Sequence, residues 1–325
     1  MELTVVKENQ FDDWNNFIKS NADFPTIAHN PILVKIIQKS FNWEGWNYFL
    51  EDNGNRIGAV NLIDAPGGLT SMPHFSYSGL TANKGINKKG LYENLEKSLD
   101  AKLEIRDTEP LSSNYNDNKV TSYKELIPDV DDQLMELSSN QRRKVRKSYK
   151  NGIELRKGDE YLDKFYEIYT LNMHGLGSPP LPKYFFETIL DNYEYGPAEI
   201  FCAEYDGEII GGGFLLGYQN FYENCWFSTL REYNSLYSSL FLYWEMIKFS
   251  IEDGATIFSL GRSTKDSSLH RFKSHWGTKD KQLYFNYNFE KGFNIKNFDI
   301  LSSIWSKIPK KVADRVGPYF AKKIY

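Results

Sequence analysis

The sequence predicts an α/β (α+β) protein built from two tandem copies of one unit. Each copy is a mixed, mostly antiparallel sheet flanked by helices, and a helical tail follows. Three observations carry that expectation. First, 325 residues with 41% hydrophobic and 16% aromatic content supply enough apolar surface for two cores. Second, Asn53-Gly54 and Asp206-Gly207 are hairpin signals, because type I′ turns need positive φ at both central residues. Third, Gly54 and Gly207 stand 153 residues apart, and so do Ile57-Gly58 and Ile210-Gly211. An internal repeat of that kind sets the domain expectation at residues 1–122 and 123–289, with the tail at 290–325.

Taken in order, Asn30-Pro31 places a cap before a proline at the first helical position, and ILVKIIQKSF continues as an amphipathic helix. Two strands around Asn53-Gly54 follow, the second reading RIGAVNLI. Ser139 or Asn140 can then cap a helix that ends at Gly152. At helical spacing its Arg142, Arg146 and Lys150 line one face, Arg143 and Lys147 lie beside them, and Val145 and Tyr149 turn toward the core. The second copy reads strand (IELRKG), helix (161–173), a GLGSPPLP loop, a helix opened by Pro182, and a hairpin whose second strand is EIIGGGFLL. A strand over 221–229, the turn REYN and a helix over 235–252 come next; Leu236, Leu240, Trp244, Ile247 and Ile251 form its buried stripe. The strand at Ile257, Phe258 and Leu260 and a last one, KQLYFNYNF, close the sheet.

Composition excludes several function classes. A formal charge of -4 from 39 basic and 43 acidic residues gives no global field for a polyanion, so any such site is local to residues 142–150. That stretch suits phosphate contact with a nucleotide-linked donor, a tRNA or a lipid-linked acceptor; the alternative is a solvated helix face. Two cysteines, Cys202 and Cys225, and five histidines without metal spacing leave no expected metal site. Neither a secretion signal nor an apolar run of about 18 residues is present, so the expectation is a cytoplasmic protein without a transmembrane segment.

The candidate site is the stretch IFSLGRSTKDSSLHRFKSHWG, where a strand ends on Gly261 and hands over to Arg262, Ser263 and Thr264. In open α/β sheets ligands sit beyond the carboxyl ends of strands, which places a cation and hydroxyls to meet an anionic or acyl ligand. Lys273 and Trp276 follow on one side of a helical turn. Arg262 and Lys273 are expected to act together on an anion or oxyanion, the structural alternative being an Arg262 ion pair with Glu204 or Glu245. Glu204, Glu245, Tyr237 and His270 are the candidate bases. Gly211, Gly212 and Gly213 mark a bulge, a close approach to a ligand or close packing, and strand splaying there, with Tyr233, would supply N–H donors.

These residues resemble the signature of FemAB-like proteins associated with exosortase systems, in which "FGRS" is followed by "FK" and "WG". The matching positions are Phe258, Gly261, Arg262, Ser263, Phe272, Lys273, Trp276 and Gly277, with Ser259-Leu260 where the family has an acidic residue and an aromatic. MPHFSYSGL, LSSNQRRKVRKSYKNGIELR, MHGLGSPPLPK and IWSKIPKKVADRVGPYF extend the similarity over nearly the whole chain. The element order is that of the GNAT acyltransferase fold. The resemblance implies an N-acyltransferase or aminoacyltransferase acting on an amine of a cell-envelope or exopolysaccharide precursor, an amino sugar or a peptidoglycan-type unit. Arg262, Lys273, Glu245 and Tyr237 are then the catalytic candidates, and Gly212, Gly213, Tyr233, Asn234, Ser263, His270 and Trp276 the binding candidates. No permanently bound cofactor is expected; the donor is aminoacyl-tRNA or acyl-CoA. CoA is disfavoured because residues 231–235 lack the glycines of a pyrophosphate-binding turn. The acceptor is a small or lipid-linked glycan, with tRNA contact through residues 142–150. The competing class is a catalytically silent module that binds a glycan precursor or protein partner through the same cleft.

Overall fold

In the computed structural model, which describes residues 1–290, Trp305 and 307–321, the chain lays down one element pattern twice. The first pass is β1 (Glu2–Val5), α1 (Phe11–Asn21), α2 (Ile32–Phe41), β2 (Glu44–Asp52), β3 (Asn55–Ala65), β4 (Gly68–Thr70), β5 (Thr81–Ala82), α3 (Lys88–Leu99), β6 (Leu103–Asp107) and β7 (Asn114–Glu125). Two helices, α4 (Val130–Glu136) and α5 (Ser139–Lys150), lead to the second pass. That pass is β8 (Glu154–Lys157), α6 (Leu162–Gly175), α7 (Lys183–Asn192), β9 (Ala198–Tyr205), β10 (Glu208–Tyr218), β11 (Phe221–Thr229), α8 (Ser238–Glu252), β12 (Ile257–Thr264), α9 (Ser268–Ser274) and β13 (Lys279–Tyr287). Of the expected tail, α10 (Lys310–Ala321) packs against α6, while residues 291–304, 306 and 322–325 lie outside the described residues.

The repeat is exact at its hairpins: β3 and β10 have the same length and both their ends are offset by 153 residues. Asn53 and Gly54 have φ of 48° and 77°, and Asp206 and Gly207 of 53° and 80°, as the type I′ signal requires. The copies differ at their third strand. In the second half β11 pairs along β10 as one strand with a single bulge, whereas in the first half β4 pairs Ile63 to Ala65, β5 pairs Gly58 and Ala59, and residues 71–80 loop out between them.

All strands join one sheet in the order β1-β2-β3-β4-β6-β13-β7-β12-β11-β10-β9-β8, with β5 on β3. Among the described residues, only β4 with β6 and β11 with β12 run parallel. The two halves exchange their last strands: β13 of the second pass lies between β6 and β7 of the first, and β7 pairs with β12. The boundary expected at 122/123 therefore falls inside β7, in a ladder that spans both halves.

The sheet is covered on both faces. One core is shared between halves, with Trp14, Ile36, Phe41 and Phe49 of the first against Phe165, Phe185, Phe186, Phe214 and Trp226 of the second. Burial of each such ring contributes about 1.5–3 kcal/mol, so the contact of α2 with α7 fixes how the halves meet. The other cores lie beneath α8 and α3. No helix among the described residues is long and apolar enough to cross a membrane.

Candidate active site

The site begins where a strand pair comes apart. β11 and β12 hold parallel register from Phe221↔Ile257 to Glu223↔Ser259, and no ladder pair follows. Two local irregularities drive the divergence. β11 bulges at Cys225, since Asn224 faces Leu215 while Trp226 already faces Phe214. In β12 the chain turns at Gly261, whose φ of +76° suits glycine, and pairing with β7 skips from Ser259 to Arg262. The wedge opens into a cavity of about 250 Å³.

Lys273 enters this wedge from α9. Ser267 caps that helix by accepting from the His270 N–H at 3.2 Å, and fully buried Trp276, 5.7 Å from the Tyr243 ring, anchors its far end. Lys273 is 3% exposed, and its ammonium donates to the carbonyls of Gly261 at 2.8 Å and Arg262 at 3.1 Å. An ammonium has three donors, which leaves one for the cavity. Burial pushes the Lys273 pKa down to about 7; the Glu223 charge opposes that shift and Arg262 reinforces it.

Glu223, on β11, is also buried. Its two oxygens accept from Ser76 Oγ and Ser259 Oγ, each at 2.8 Å, and Ser259 Oγ itself accepts from the Gly261 N–H at 3.0 Å. Burial raises its pKa, against the pull of the two hydroxyls and of the Lys273 and Arg262 charges. Beside it the buried Asn224 amide has no well-formed hydrogen bond to its oxygen or nitrogen, with the Tyr243 hydroxyl as neighbour. Asn224 forms part of the cavity wall.

The first half closes the wedge through residues 71–80. Arg262 donates from Nη1 to the carbonyls of Phe75 at 3.2 Å and Ser76 at 3.4 Å, and its guanidinium lies 5.3 Å from the Phe285 ring centre. Burial and the nearby Arg106 lower its pKa to about 10, which keeps it charged near neutrality. His74 takes φ of +72° and stacks at 4.8 Å on Phe41; its buried Nε2 has no partner, and burial holds its pKa near 3, so the ring is neutral.

Of the residues expected from sequence, Arg262 and Lys273 meet here, and the others do not. Glu204 pairs with Arg156 at 2.8 Å and Glu245 accepts the Tyr149 hydroxyl, so neither forms the ion pair with Arg262 that was the structural alternative. Tyr237, at φ +63°, shares a separate hollow with Asn234 and Phe272, and Tyr233 packs against Tyr205. His270 accepts from the Asp266 backbone N–H at Nδ1 and meets the Asp280 carboxylate through Nε2, which ties the turn before α9 to β13. Ser263 is buried in β12 with no partner for its Oγ, and Trp276 is the α9 anchor. Gly211, Gly212 and Gly213 are paired on both sides within β10. A Cβ on Gly212 would stand 2.9 Å from Phe165, and one on Gly213 2.9 Å from Met246. The triple glycine thus admits α6 and α8 against the sheet, and the splay lies one strand away. Glu223, Asn224, His74 and Ser76 were not anticipated; the signal for the first two was a Glu-Asn pair inside the apolar strand FYENCWFST, and His74 and Ser76 lie in MPHFSYSGL, which was matched only as part of the resemblance.

A wedge beside a bulged strand in a twice-repeated unit gives the chain a tandem GNAT fold, and the comparisons agree in fold. Residues 138–274 match the family model described as an acetyltransferase (GNAT) domain. FemX superposes with a TM-score of 0.63 at 17% identity, over 93% of this chain and 100% of that one. The C-terminal domain (DUF2156) of a putative lysylphosphatidylglycerol synthetase from Agrobacterium fabrum gives 0.57 at 9% identity, over 91% and 95%. A tandem GNAT protein from the clavulanic acid biosynthesis pathway gives 0.53 at 12%, over 89% and 100%. The fold is therefore FemAB-like. No curated protein matches the chain in sequence.

Proposed function

We propose that the chain transfers an aminoacyl group to an amine of a cell-envelope or exopolysaccharide precursor, a small or lipid-linked glycan, and that the wedge between β11 and β12 is where the bond forms. The observation that carries this reading is the buried Lys273 ammonium, with one N–H left for the cavity, beside the Glu223 carboxylate. The amine nitrogen attacks the ester carbonyl carbon, and the carbonyl oxygen becomes an oxyanion that the remaining Lys273 N–H and the Asn224 amide receive. Glu223 takes the proton from the attacking nitrogen and returns it to the leaving oxygen as the carbon–oxygen bond breaks.

The turn after β11 favours aminoacyl-tRNA over CoA as donor. Arg231–Leu236 is a 3₁₀ helix followed by Tyr237 in the left-handed region, and without glycine it offers no cradle of N–H groups for a pyrophosphate. The cations Arg142, Arg143, Arg146, Lys147 and Lys150 line one hollow with no carboxylate among them, which suits an RNA backbone. The shared fold with FemX is compatible with this reading.

The test incubates the purified chain with tRNA charged with labelled amino acids, or with labelled acetyl-CoA, and offers glucosamine or a lysine-containing peptide as acceptor. An amide-linked product from charged tRNA supports the reading. Micromolar binding of acetyl-CoA by calorimetry, with acetylated product, would replace the donor. Absence of product from both, with the acceptor bound, would favour the silent binding module.

A further inference from the structure

We infer that helix α10 is a peripheral membrane-docking element, which lays its outer face on an anionic lipid surface. The helix turns its small residues inward and its large ones outward. Ala313, Gly317 and Ala321, spaced at i, i+4 and i+8, are buried. A Cβ on Gly317 would stand 2.6 Å from Pro180 Cδ, so the helix lies flush against the loop that follows α6. His174 of α6 donates from Nε2 to the Ile308 carbonyl at 2.8 Å, and Trp305 is buried. Val312, Tyr319 and Phe320 are by contrast 49%, 61% and 44% exposed, with half-buried Val316 between them. At about 100° per residue these four fall within an arc of about 100°, which makes one apolar strip rather than scattered exposure.

Such a strip marks a contact with protein or membrane, and charge decides between them. The side chains of residues 305–325 include six Lys or Arg and one Asp, a net +5 within a chain of net -4. A two-fold contact between copies would set the strip against itself, with like charge facing like charge. An anionic bilayer complements both features. Lys and Arg are attracted to the headgroups, while valine and aromatic side chains enter the boundary between headgroups and acyl chains. Tyrosine is favoured at that depth, because its ring is apolar and its hydroxyl stays wet. With 12 residues against the roughly 20 needed to span, α10 lies on the surface.

The docking face is tied to the wedge through α6. Asn172, in the last turn of that helix, donates to Ser228 Oγ at 3.2 Å, and the neighbouring Phe227 lines the wedge. A lipid-linked acceptor would then be met at the surface that holds its lipid. That consequence rests on the proposed reaction, whereas the docking itself does not.

Co-sedimentation of the full chain tests the docking, with vesicles of phosphatidylcholine alone or mixed three to one with phosphatidylglycerol. Binding should require the anionic lipid and fall as salt rises. Val312→Asp combined with Tyr319→Asp should weaken it at least about ten-fold, and Lys307→Gln about five-fold. All three side chains are exposed, so the melting temperature should hold; Phe320 is kept because its ring packs 5.9 Å from that of Trp305. With a soluble acceptor the double variant should transfer at the wild-type rate, so loss of docking and loss of the reaction are read separately. No binding, equal binding to the neutral vesicles, binding that survives the double substitution, or a dimer that these substitutions dissociate would overturn the inference.

Discussion

Lys273 keeps a buried ammonium with two backbone carbonyls as its hydrogen-bond partners, and that choice has a measurable signature. Its folded pKa of about 7 lies below the ordinary 10.5, so between those values the unfolded chain binds the extra proton. Stability then rises with pH through that window, by up to about 1.4 kcal/mol per unit, and the penalty is fully present below pH 7. Glu223, with its pKa raised, contributes the opposite slope at lower pH, between the ordinary carboxylate value and its own. Urea unfolding at pH 6, 7.5 and 9 should show wild type gaining stability across the last two points and Lys273→Met losing that gain. The same two groups predict a bell-shaped kcat/KM profile, with an acid limb from Glu223 and a basic limb from Lys273 near 7. Sequence placed Lys273 at the site through its position after Gly261. It could not show Glu223 beside it, because those two meet only when β11 bulges and parts from β12.

At the scale of elements, patterns of local period were legible and those set by partners were not. The hairpins and the basic face of α5 follow from turn chemistry and helical spacing and stand where the sequence put them. Helix α8 begins at Ser238 rather than 235, because Tyr237 in the left-handed region breaks it from a 3₁₀ turn that holds Leu236. It is buried on nearly all sides rather than along one stripe. Of the two residues of α5 expected to turn inward, Val145 alone reaches the core and Tyr149 is exposed. The role of Gly211, Gly212 and Gly213 depended on which helices lie over β10, and Phe165 and Met246 supply that answer from far along the chain. Helix α5 is held by Ser138, whose side chain accepts from the Gln141 N–H, one residue before the expected cap. Its Tyr149 donates to buried Glu245, which ties the basic face to α8. Substituting Arg146→Glu with Lys150→Glu should leave folding intact and weaken binding of bulk tRNA. The slope of log affinity against log salt should become shallower by roughly two, as read by filter binding at several salt concentrations. An unchanged slope would make this face a solvated one.

The whole molecule is held by exchange between its halves. β13 pairs Tyr284 to Tyr287 with β6 and Lys279 to Tyr287 with β7, so each half lacks a strand of its own sheet without the other. The repeat was readable from the 153-residue offset, but the exchange was not, because periodicity does not say which partner a strand takes. Residues 1–122 expressed alone should therefore remain largely unfolded by circular dichroism, and the full chain should melt in one cooperative transition. A folded fragment with its own melting transition would contradict that dependence.

The same exchange assembles the proposed site, since Ser76 of the first half holds the Glu223 carboxylate and Phe75 and Ser76 hold Arg262. The most direct measurement is the single-turnover rate of transfer from charged tRNA for wild type and Lys273→Ala, with melting temperature and donor affinity measured on the same preparations. The account predicts a fall in rate of about 10²–10³-fold, the range for losing one oxyanion donor, with donor affinity nearly unchanged and the fold retained. A folded Lys273→Ala protein that transfers at the wild-type rate would contradict it.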